Sequence, residues 1–245
     1  MIAFIIQARL GSTRLPNKVL LPFYNGQTIL DIILGSLSTI ENTKCIVAIP
    51  SSSINDKLED VCNRLSIPCF RGAENDVLQR FIDAAEEFGV DKIIRVCSDN
   101  PFLNLPAIQE LINAAGSSSA EYISFLVDGV PAIKTHYGLW TEYVTLEALK
   151  RVQSITSDVL YHEHVTNFIY SHPDLFSIKW LTVPDRVLES KIVRLTIDTP
   201  QDFQTAKEIY SAIEDKSSLE ELFSYIESHP SIIDSMHVQM KNNTK

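Results

Sequence analysis

The chain has 245 residues, 45 % of them hydrophobic, and a formal net charge of −10. This length and apolar fraction suit one α/β domain with a sizeable core, so we expect a single domain over 1–245. The acidic balance argues against broad contact with nucleic acid or an anionic membrane, because such contact needs an extended basic surface. One small anionic ligand at a local basic site is still compatible with it.

Nothing in the sequence predicts export or membrane insertion. The apolar run 2–6 stops at Gln7 and Arg9, which makes it too short for the core of a signal peptide. No apolar stretch approaches the length of a transmembrane helix. The four cysteines show neither CxxC pairing nor metal-ligand spacing, and Cys45 and Cys97 lie in apolar, strand-like runs. We therefore expect buried, reduced thiols and a cytoplasmic protein.

Strand-like and helical patterns alternate over the first half of the chain. The predicted strands are 2–6, 45–49 and 92–97. The predicted helices are one from Thr28, one near 54–65, one at 76–89 and one at 106–116. Thr28 and Asp31 fit the two ends of a capping box. Alternation of this kind predicts a mostly parallel sheet with helices on both faces.

The pattern changes at 121–145, where two strand-like runs follow one another without a helix between them. We expect an antiparallel excursion from the sheet here, which could line an acceptor site or pair with a second subunit. The later predicted elements are helices near 145–152 and 157–171, a strand at 191–198, a helix from Thr199, a helix near 218–228 and a polar tail at 240–245. The start at Thr199 is the clearest, because Pro200 and Asp202 stand at its first and third positions. Disorder is expected only at 241–245, the residues KNNTK.

A basic loop with the sequence QARLGSTRLPNK occupies 7–18, directly after the first predicted strand. Its glycine lets backbone N–H groups approach a ligand, its hydroxyls add donors, and its three cations suit phosphate oxygens. The candidate ligands of a phosphate are Arg9, Gly11, Ser12, Thr13, Arg14 and Lys18. The loop matches neither of the common glycine-rich phosphate motifs. The alternative is a solvated loop that pairs with the protein's own carboxylates.

Two aspartates are expected at the same edge of the sheet as this loop. Asp99 follows the strand at 92–97, and Asp198 ends the strand predicted at 191–198. Ligands of parallel sheets bind beyond the carboxyl ends of the strands, so the two carboxylates should converge there. Mg²⁺ is commonly held by one or two carboxylates together with substrate phosphates, which makes both residues candidate metal ligands. Capping or a turn is the alternative, and it is weaker for Asp198 because Thr199 already fits the cap.

Other polar residues carry weaker signals. His162 and His164 stand two residues apart on a predicted helix, so they cannot form an i, i+4 metal pair. Arg71 and Asp76 flank a turn before a helix, where a turn and an N-cap would account for them.

Six segments taken together resemble one enzyme family. They are IIQARLGSTRLPNKVL, CFRGAENDVLQRF, RVCSDNPFL, GLWTEYVTLEAL, HEHVTNFIY and RLTIDTPQDF. They resemble the cytidylyltransferases that activate acidic sugars, which include the CMP-Kdo and CMP-sialic acid synthetases. The match is closest to the spore-coat polysaccharide branch, and it runs from residue 2 to about 210.

This resemblance implies a nucleotide-sugar-transferase-like (Rossmann-like) α/β fold over the whole chain, commonly as a homodimer. It implies a reaction of CTP with a 2-keto-3-deoxy sugar acid that gives a CMP-sugar and pyrophosphate, requires Mg²⁺, and serves polysaccharide or glycoconjugate synthesis. Matching positions assign the triphosphate to Arg9, Ser12, Arg14 and Lys18, and place Arg71 and Asp76 near the nucleotide. The catalytic set implied in this way is Arg14, Lys18, Asp99 and Asp198, with the two aspartates as the Mg²⁺ ligands.

The acceptor site is the least defined part of the sequence. Its candidates are Lys134, His136, Glu142 and His164, of which the last two match motifs of the branch. An acidic side chain such as Glu142 suits hydroxyls better than a carboxylate, so a hexose 1-phosphate acceptor stays open. A non-catalytic nucleotide-binding protein is the second alternative.

Asn17 and Ser98 stand where many relatives have glycine, and Ser98 would add a side chain near the metal.

Overall fold

A central sheet organises the chain, and the computed structural model describes residues 1–190 and 193–243 of it. The strands are β1 (Ile2–Gln7), β2 (Pro22–Tyr24), β3 (Gln27–Thr28), β4 (Lys44–Pro50), β5 (Cys69–Gly72), β6 (Lys92–Cys97), β7 (Tyr122–Val127), β8 (Val130–Pro131), β9 (Glu142–Thr145) and β10 (Ile178–Thr182). The helices are α1 (Ile29–Leu37), α2 (Asp56–Leu65), α3 (Val77–Glu87), α4 (Leu105–Ser117), α5 (Leu146–Ile155), α6 (Val159–Glu163), α7 (Asn167–Ser171), α8 (Asp185–Glu189), α9 (Pro200–Ala212), α10 (Leu219–Glu227) and α11 (Pro230–Asn242). None of the helices in these two ranges is long and apolar enough to cross a membrane.

The main sheet has the strand order β10-β7-β9-β6-β1-β4-β5, with β8 paired to β7. β1 is parallel to both of its neighbours, β4 and β6, whereas β9 is antiparallel to β6 and to β7. The predicted class, a mostly parallel sheet with an antiparallel excursion around 121–145, is therefore confirmed. Within the second strand-like run of that excursion, β9 is the part that joins the sheet.

The sheet is buried on both faces. Phe4 and Ile6 of β1 belong to one apolar cluster, and Ala3 and Ile5 belong to the cluster on the other face. Successive side chains of a strand point to opposite faces, so a strand covered on both sides has to be apolar throughout. This explains why β1 is a continuous apolar run.

Local sequence chemistry fixes two helix starts as predicted. Thr28 and Asp31 form a capping box at α1, and Thr199 and Asp202 form another at α9, where Pro200 takes the first position. In each box the threonine oxygen and the aspartate carboxylate accept from backbone N–H groups that the helix leaves unpaired. These two helix starts confirm the predictions made from the sequence.

The strand predicted at 191–198 is corrected. Residues 191 and 192 lie outside the described part of the chain, and 193–198 form no ladder with the sheet. Their N–H groups bond instead to loops: Leu195 donates to the His136 carbonyl at 2.8 Å, and Ile197 donates to the Asp99 carbonyl at 3.3 Å. The segment thus lies against the loop at His136 and against Asp99, which follows the carboxyl end of β6.

Three further differences from the sequence reading concern helices and short strands. The helix predicted at 157–171 is two short helices, α6 and α7, with a break between them. Helix α11 continues to Asn242, so the predicted disorder is wrong for 241–242, and 244–245 lie outside the described residues. The elements that the sequence reading lacked are β2, β3, β5, β8, β10, α8 and α11.

Candidate active site

The basic loop follows β1 and ends at a short 3-10 helix, Lys18–Leu20. Leu10 N–H donates to the buried Oδ1 of Asn55 at 3.0 Å, which anchors the loop to the start of α2. Asn17 has φ 57°, in the left-handed region that asparagine tolerates better than most residues do. This conformation explains why an asparagine can replace a glycine here.

Lys18 joins the two predicted metal aspartates. Its Nζ lies 2.8 Å from Asp99 Oδ2 and 3.9 Å from Asp198 Oδ1, and it donates to the Ile197 carbonyl at 2.7 Å. Arg14 Nη2 also donates to Asp198 Oδ1, at 3.1 Å. The structure therefore brings together four residues that the sequence spreads over 185 positions, the predicted catalytic set.

A buried arginine orients the second oxygen of Asp198. Arg194 Nη2 donates to Asp198 Oδ2 at 3.0 Å, and Arg194 also forms a bidentate pair with Asp202 at 2.7 and 2.9 Å. Burial alone would raise the pKa of Asp202, but the hydrogen bonds from Arg194 outweigh it and hold that pKa below its usual value. His136 Nδ1 lies 2.7 Å from Arg194 Nη1, so the ring nitrogen is the acceptor in this contact.

Two cavities open at this edge of the sheet. The first, about 440 Å³ and called the loop cavity here, is lined by all six candidate phosphate ligands of 7–18, together with Ser98. The second cavity, about 400 Å³, includes Asn100, Lys134, Asn167 and Tyr170 in its lining. The residues that line both are Gln7, Arg95, Cys97, Asp99, His164 and Asp198. The two aspartates thus lie on the wall between the cavities. Cys97 also lines this wall, and its side chain is half-buried, whereas the sequence predicted a buried thiol.

Arg71 and Asp76, which were predicted to lie near the nucleotide, line neither cavity and have partners within the protein. Arg71 forms ion pairs with Asp56 at 2.8 Å and Glu59 at 2.5 Å, both on α2. Asp76 caps α3 by accepting from the Gln79 N–H at 2.8 Å. The capping alternative was therefore right for Asp76, and Arg71 ties β5 to α2.

Two of the four acceptor candidates, His136 and Glu142, lie outside the second cavity. His136 reaches Arg194 as described, and Glu142 is buried beneath Arg95. Arg95 Nη1 donates to Glu142 Oε2 at 2.6 Å, and the hydroxyls of Tyr122 and Thr166 donate to the same carboxylate. Neither residue lines the second cavity, whereas Lys134 and His164 do.

The sequence reading missed Arg80, which lines the loop cavity from α3. Arg80 is 2 % exposed, and its Nη1 donates to the carbonyls of Ala73 and Glu74. Its Nε has no hydrogen-bond partner in 1–190 or 193–243, and burial lowers its pKa. Its position on the apolar face of a helix, three residues after Val77, was the signal that could have revealed it.

The carboxylates of Asp99 and Asp198 suit a metal ion that takes its remaining coordination from a bound substrate and water. Over the described residues, no group of three or more His, Cys, Asp and Glu side chains forms a metal site. Asp99 and Asp198 offer two carboxylates, both within 4 Å of one ammonium group. Two carboxylates completed by phosphate oxygens and water is the arrangement that Mg²⁺ favours.

A family model described as Cytidylyltransferase matches residues 3–232. The chain belongs to the cytidylyltransferase family. This cytidylyltransferase is 32 % identical over 239 residues to the spore coat polysaccharide biosynthesis protein SpsF of Bacillus subtilis, a match that covers 94 % of the chain and 95 % of SpsF. As a member of this family it is a nucleotidyltransferase enzyme.

Solved structures agree with this assignment. A cytidylyltransferase from Leptospira borgpetersenii superposes with a TM-score of 0.84 at 28 % identity, over 95 % of this chain and 96 % of that one. The CMP:2-keto-3-deoxy-manno-octonic acid synthetase complexed with CTP superposes with a TM-score of 0.65 at 12 % identity, over 85 % of this chain and 98 % of that one. At that identity the second likeness shows the shared nucleotidyltransferase fold.

Proposed function

We propose that this cytidylyltransferase transfers a cytidylyl group from CTP to the anomeric hydroxyl of a 2-keto-3-deoxy sugar acid, for polysaccharide or glycoconjugate synthesis. The observation that carries the proposal is a cation-lined cavity and a second cavity that share a wall containing Asp99 and Asp198. Such a pair of cavities suits two substrates whose reacting atoms meet at the shared wall.

The loop cavity is the proposed site of the CTP triphosphate. Arg9, Arg14 and Lys18 line it, in a chain whose net charge is −10. Forked guanidinium donors and a mobile ammonium group suit the oxygens of a polyphosphate. A structural neighbour complexed with CTP supports the choice of nucleotide.

Asp99 and Asp198 would hold Mg²⁺ between the two substrates. Bound there, Mg²⁺ would offset charge on the triphosphate oxygens and on the departing pyrophosphate. Lys18 keeps the two carboxylates close together, and Arg194 fixes the second oxygen of Asp198. The acceptor hydroxyl would then attack the α-phosphorus in line, and no protein nucleophile is required.

The second cavity is the proposed acceptor site. Lys134 lines it and supplies a cation for a carboxylate. The objection raised by Glu142 is removed, because that carboxylate is 2 % exposed and its charge is offset by Arg95. Lys134 therefore offers an acidic acceptor a cation, and the charges of Asp99 and Asp198 in the shared wall would be offset by Lys18 and by Mg²⁺.

A pyrophosphate-release assay with purified protein, CTP and Mg²⁺ tests the proposal. The acceptors are a panel of Kdo-like and sialic-like acids, and a second panel of hexose 1-phosphates. A CMP-sugar formed from at least one acid is the expected result, with Lys134→Met raising the KM for that acid. A CDP-hexose formed from CTP, with no CMP-sugar from any acid, would refute the acidic acceptor, and no turnover with either panel would refute the proposed reaction. Sedimentation and cell fractionation test the proposed homodimer and cytoplasmic location.

A further inference from the structure

Gln7, at the end of β1, lies on the wall that both cavities share. Strand pairing places it there. In the parallel β1–β6 ladder, Gln7 stands opposite Cys97, and Ile5 stands opposite Arg95. In the antiparallel β6–β9 ladder, Arg95 stands opposite Glu142. Paired residues share a face and alternate residues return to it, so Gln7, Arg95 and Glu142 lie on one face of the sheet.

Arg95 sets the orientation of the Gln7 amide. Its Nε and Nη2 lie 3.3 and 3.2 Å from Gln7 Oε1. A guanidinium has donors only, so the amide atom that faces it has to be the oxygen, and the NH₂ group points away from Arg95. That NH₂ group makes no hydrogen bond to residues 1–190 or 193–243, which leaves two donors for a ligand at the wall.

The support beneath Gln7 is rigid. Arg95 is 6 % exposed, and its partner Glu142 also accepts from the hydroxyls of Tyr122 and Thr166. Neither charge of this pair can leave its partner without a large desolvation cost. The amide of Gln7 is therefore presented by a pre-organised support.

We propose that the Gln7 NH₂ group donates to the carboxylate of the sugar-acid acceptor, and so helps to select acids from neutral sugars. This inference rests on the proposed function. In a 2-keto-3-deoxy sugar acid, the carboxylate and the attacking anomeric hydroxyl are attached to the same carbon. The hydroxyl has to meet the α-phosphorus where the two cavities join, which places the carboxylate beside Gln7. Arg95 and Glu142 act through Gln7 as positioning residues.

The test compares Gln7→Ala, Gln7→Glu and wild-type protein, with Gln109→Ala as a control on the helix α4. The KM for the best acid acceptor is measured with CTP and Mg²⁺, and CTP affinity is measured by calorimetry without an acceptor. Gln7→Ala should raise the acceptor KM at least about tenfold, the effect of losing a hydrogen bond to a charged group, and should leave CTP affinity within about twofold. Gln109→Ala should change neither quantity.

Gln7→Glu separates recognition from a merely structural role. It still offers Arg95 an acceptor, so a glutamine that served only Arg95 would tolerate the change. A glutamine that donates to the acceptor carboxylate would not tolerate the change, because the new glutamate carboxylate repels the acceptor carboxylate. We therefore expect Gln7→Glu to raise the acceptor KM at least as much as Gln7→Ala does.

The outcomes of the two proposals can be told apart. If the wild-type protein makes a CMP-sugar from an acid but the two Gln7 variants keep its KM, this inference is overturned and the proposed function stands. If the wild-type protein uses no acid, both fail. Thermal denaturation of each variant checks folding, and Gln7→Glu decides the question if Gln7→Ala does not fold.

Discussion

Two groups of charges near the candidate active site differ in their contact with water. The rim cluster, Lys18, Asp99 and Asp198, keeps side-chain exposures of 13 to 29 %. The floor pair, Arg95 and Glu142, keeps 6 and 2 %. Charges that touch water can exchange an internal partner for a ligand, whereas breaking a buried pair leaves an uncompensated charge. The rim cluster is therefore suited to binding, and the floor pair to holding other groups in place.

The largest expected effect comes from breaking the floor pair. Glu142→Ala should lower the free energy of unfolding by roughly 3–5 kcal/mol, because it leaves the Arg95 guanidinium buried without its carboxylate. Urea denaturation measures this change. The double variant with Arg95→Met and Glu142→Leu is the control, since apolar replacement of a whole buried pair is often close to neutral. A single variant as stable as wild type would contradict the role assigned to the pair.

A substitution in the rim cluster should reduce turnover and leave stability unchanged. Asp198→Asn should reduce turnover by about 10²–10³-fold, the typical loss when one electrostatic contact to the reacting groups is removed. Stability should hold, because the capping box of Thr199 and Asp202 is intact. Steady-state kinetics and thermal denaturation measure the two quantities, with the exposed Asp174→Asn as the matched control. Normal turnover of Asp198→Asn at limiting Mg²⁺ would remove Asp198 from the metal site.

Arg14 pairs with Asp198 of the rim cluster and is more open to water than the three members of that cluster. Arg14→Ala should weaken CTP binding by roughly 1.5–3 kcal/mol, the range for a hydrogen bond to a charged group. Arg64→Ala is a close control, because Arg64 has 57 % side-chain exposure against 52 % for Arg14 and also pairs with an aspartate. Equal CTP affinities of the two variants in calorimetry would argue against a triphosphate in the loop cavity.

Arg80 sharpens the comparison, because it is buried like the floor pair but forms no ion pair within the described residues. Arg80→Met should weaken CTP binding by about 1.5 kcal/mol, the lower end for a charged hydrogen bond. It should leave the free energy of unfolding unchanged or raise it, because an unpaired buried charge is costly. A destabilised variant with normal CTP affinity would show that Arg80 serves the fold instead.

The smallest expected effect is a pH dependence that involves neither the floor pair nor the rim cluster. Burial alone would lower the pKa of His162, but the hydrogen bond with Asp76 at 2.7 Å outweighs it, and the pKa is raised. A raised pKa in the folded state means that the pair stabilises fully below about pH 6.5, the unfolded value. This contribution is lost as the pH rises through the higher folded pKa, and it should stay below about 1 kcal/mol, because both partners keep some contact with water. Denaturation across this pH range should show the loss in wild type and its absence in His162→Gln.

By itself, the sequence determined the features that depend on neighbours along the chain. The apolar run of β1, the capping boxes at Thr28 and Thr199, and the density of cations in 7–18 are all short-range patterns. They predicted the alternating fold and the convergence of the loop with Asp99. They also predicted Asp198 at this edge, where it lies within 4 Å of the Lys18 ammonium group, although 193–198 form no ladder with the sheet.

Only the tertiary structure decided which polar residues meet. Arg95 and Glu142 are 47 positions apart and pair because β6 and β9 run antiparallel in one register, which no local pattern specifies. The same holds for Arg71, whose partners on α2 satisfy it away from both cavities. A residue type sets which contacts are chemically possible, but strand register and burial determine which partner is within reach, and these depend on the packing of the whole sheet.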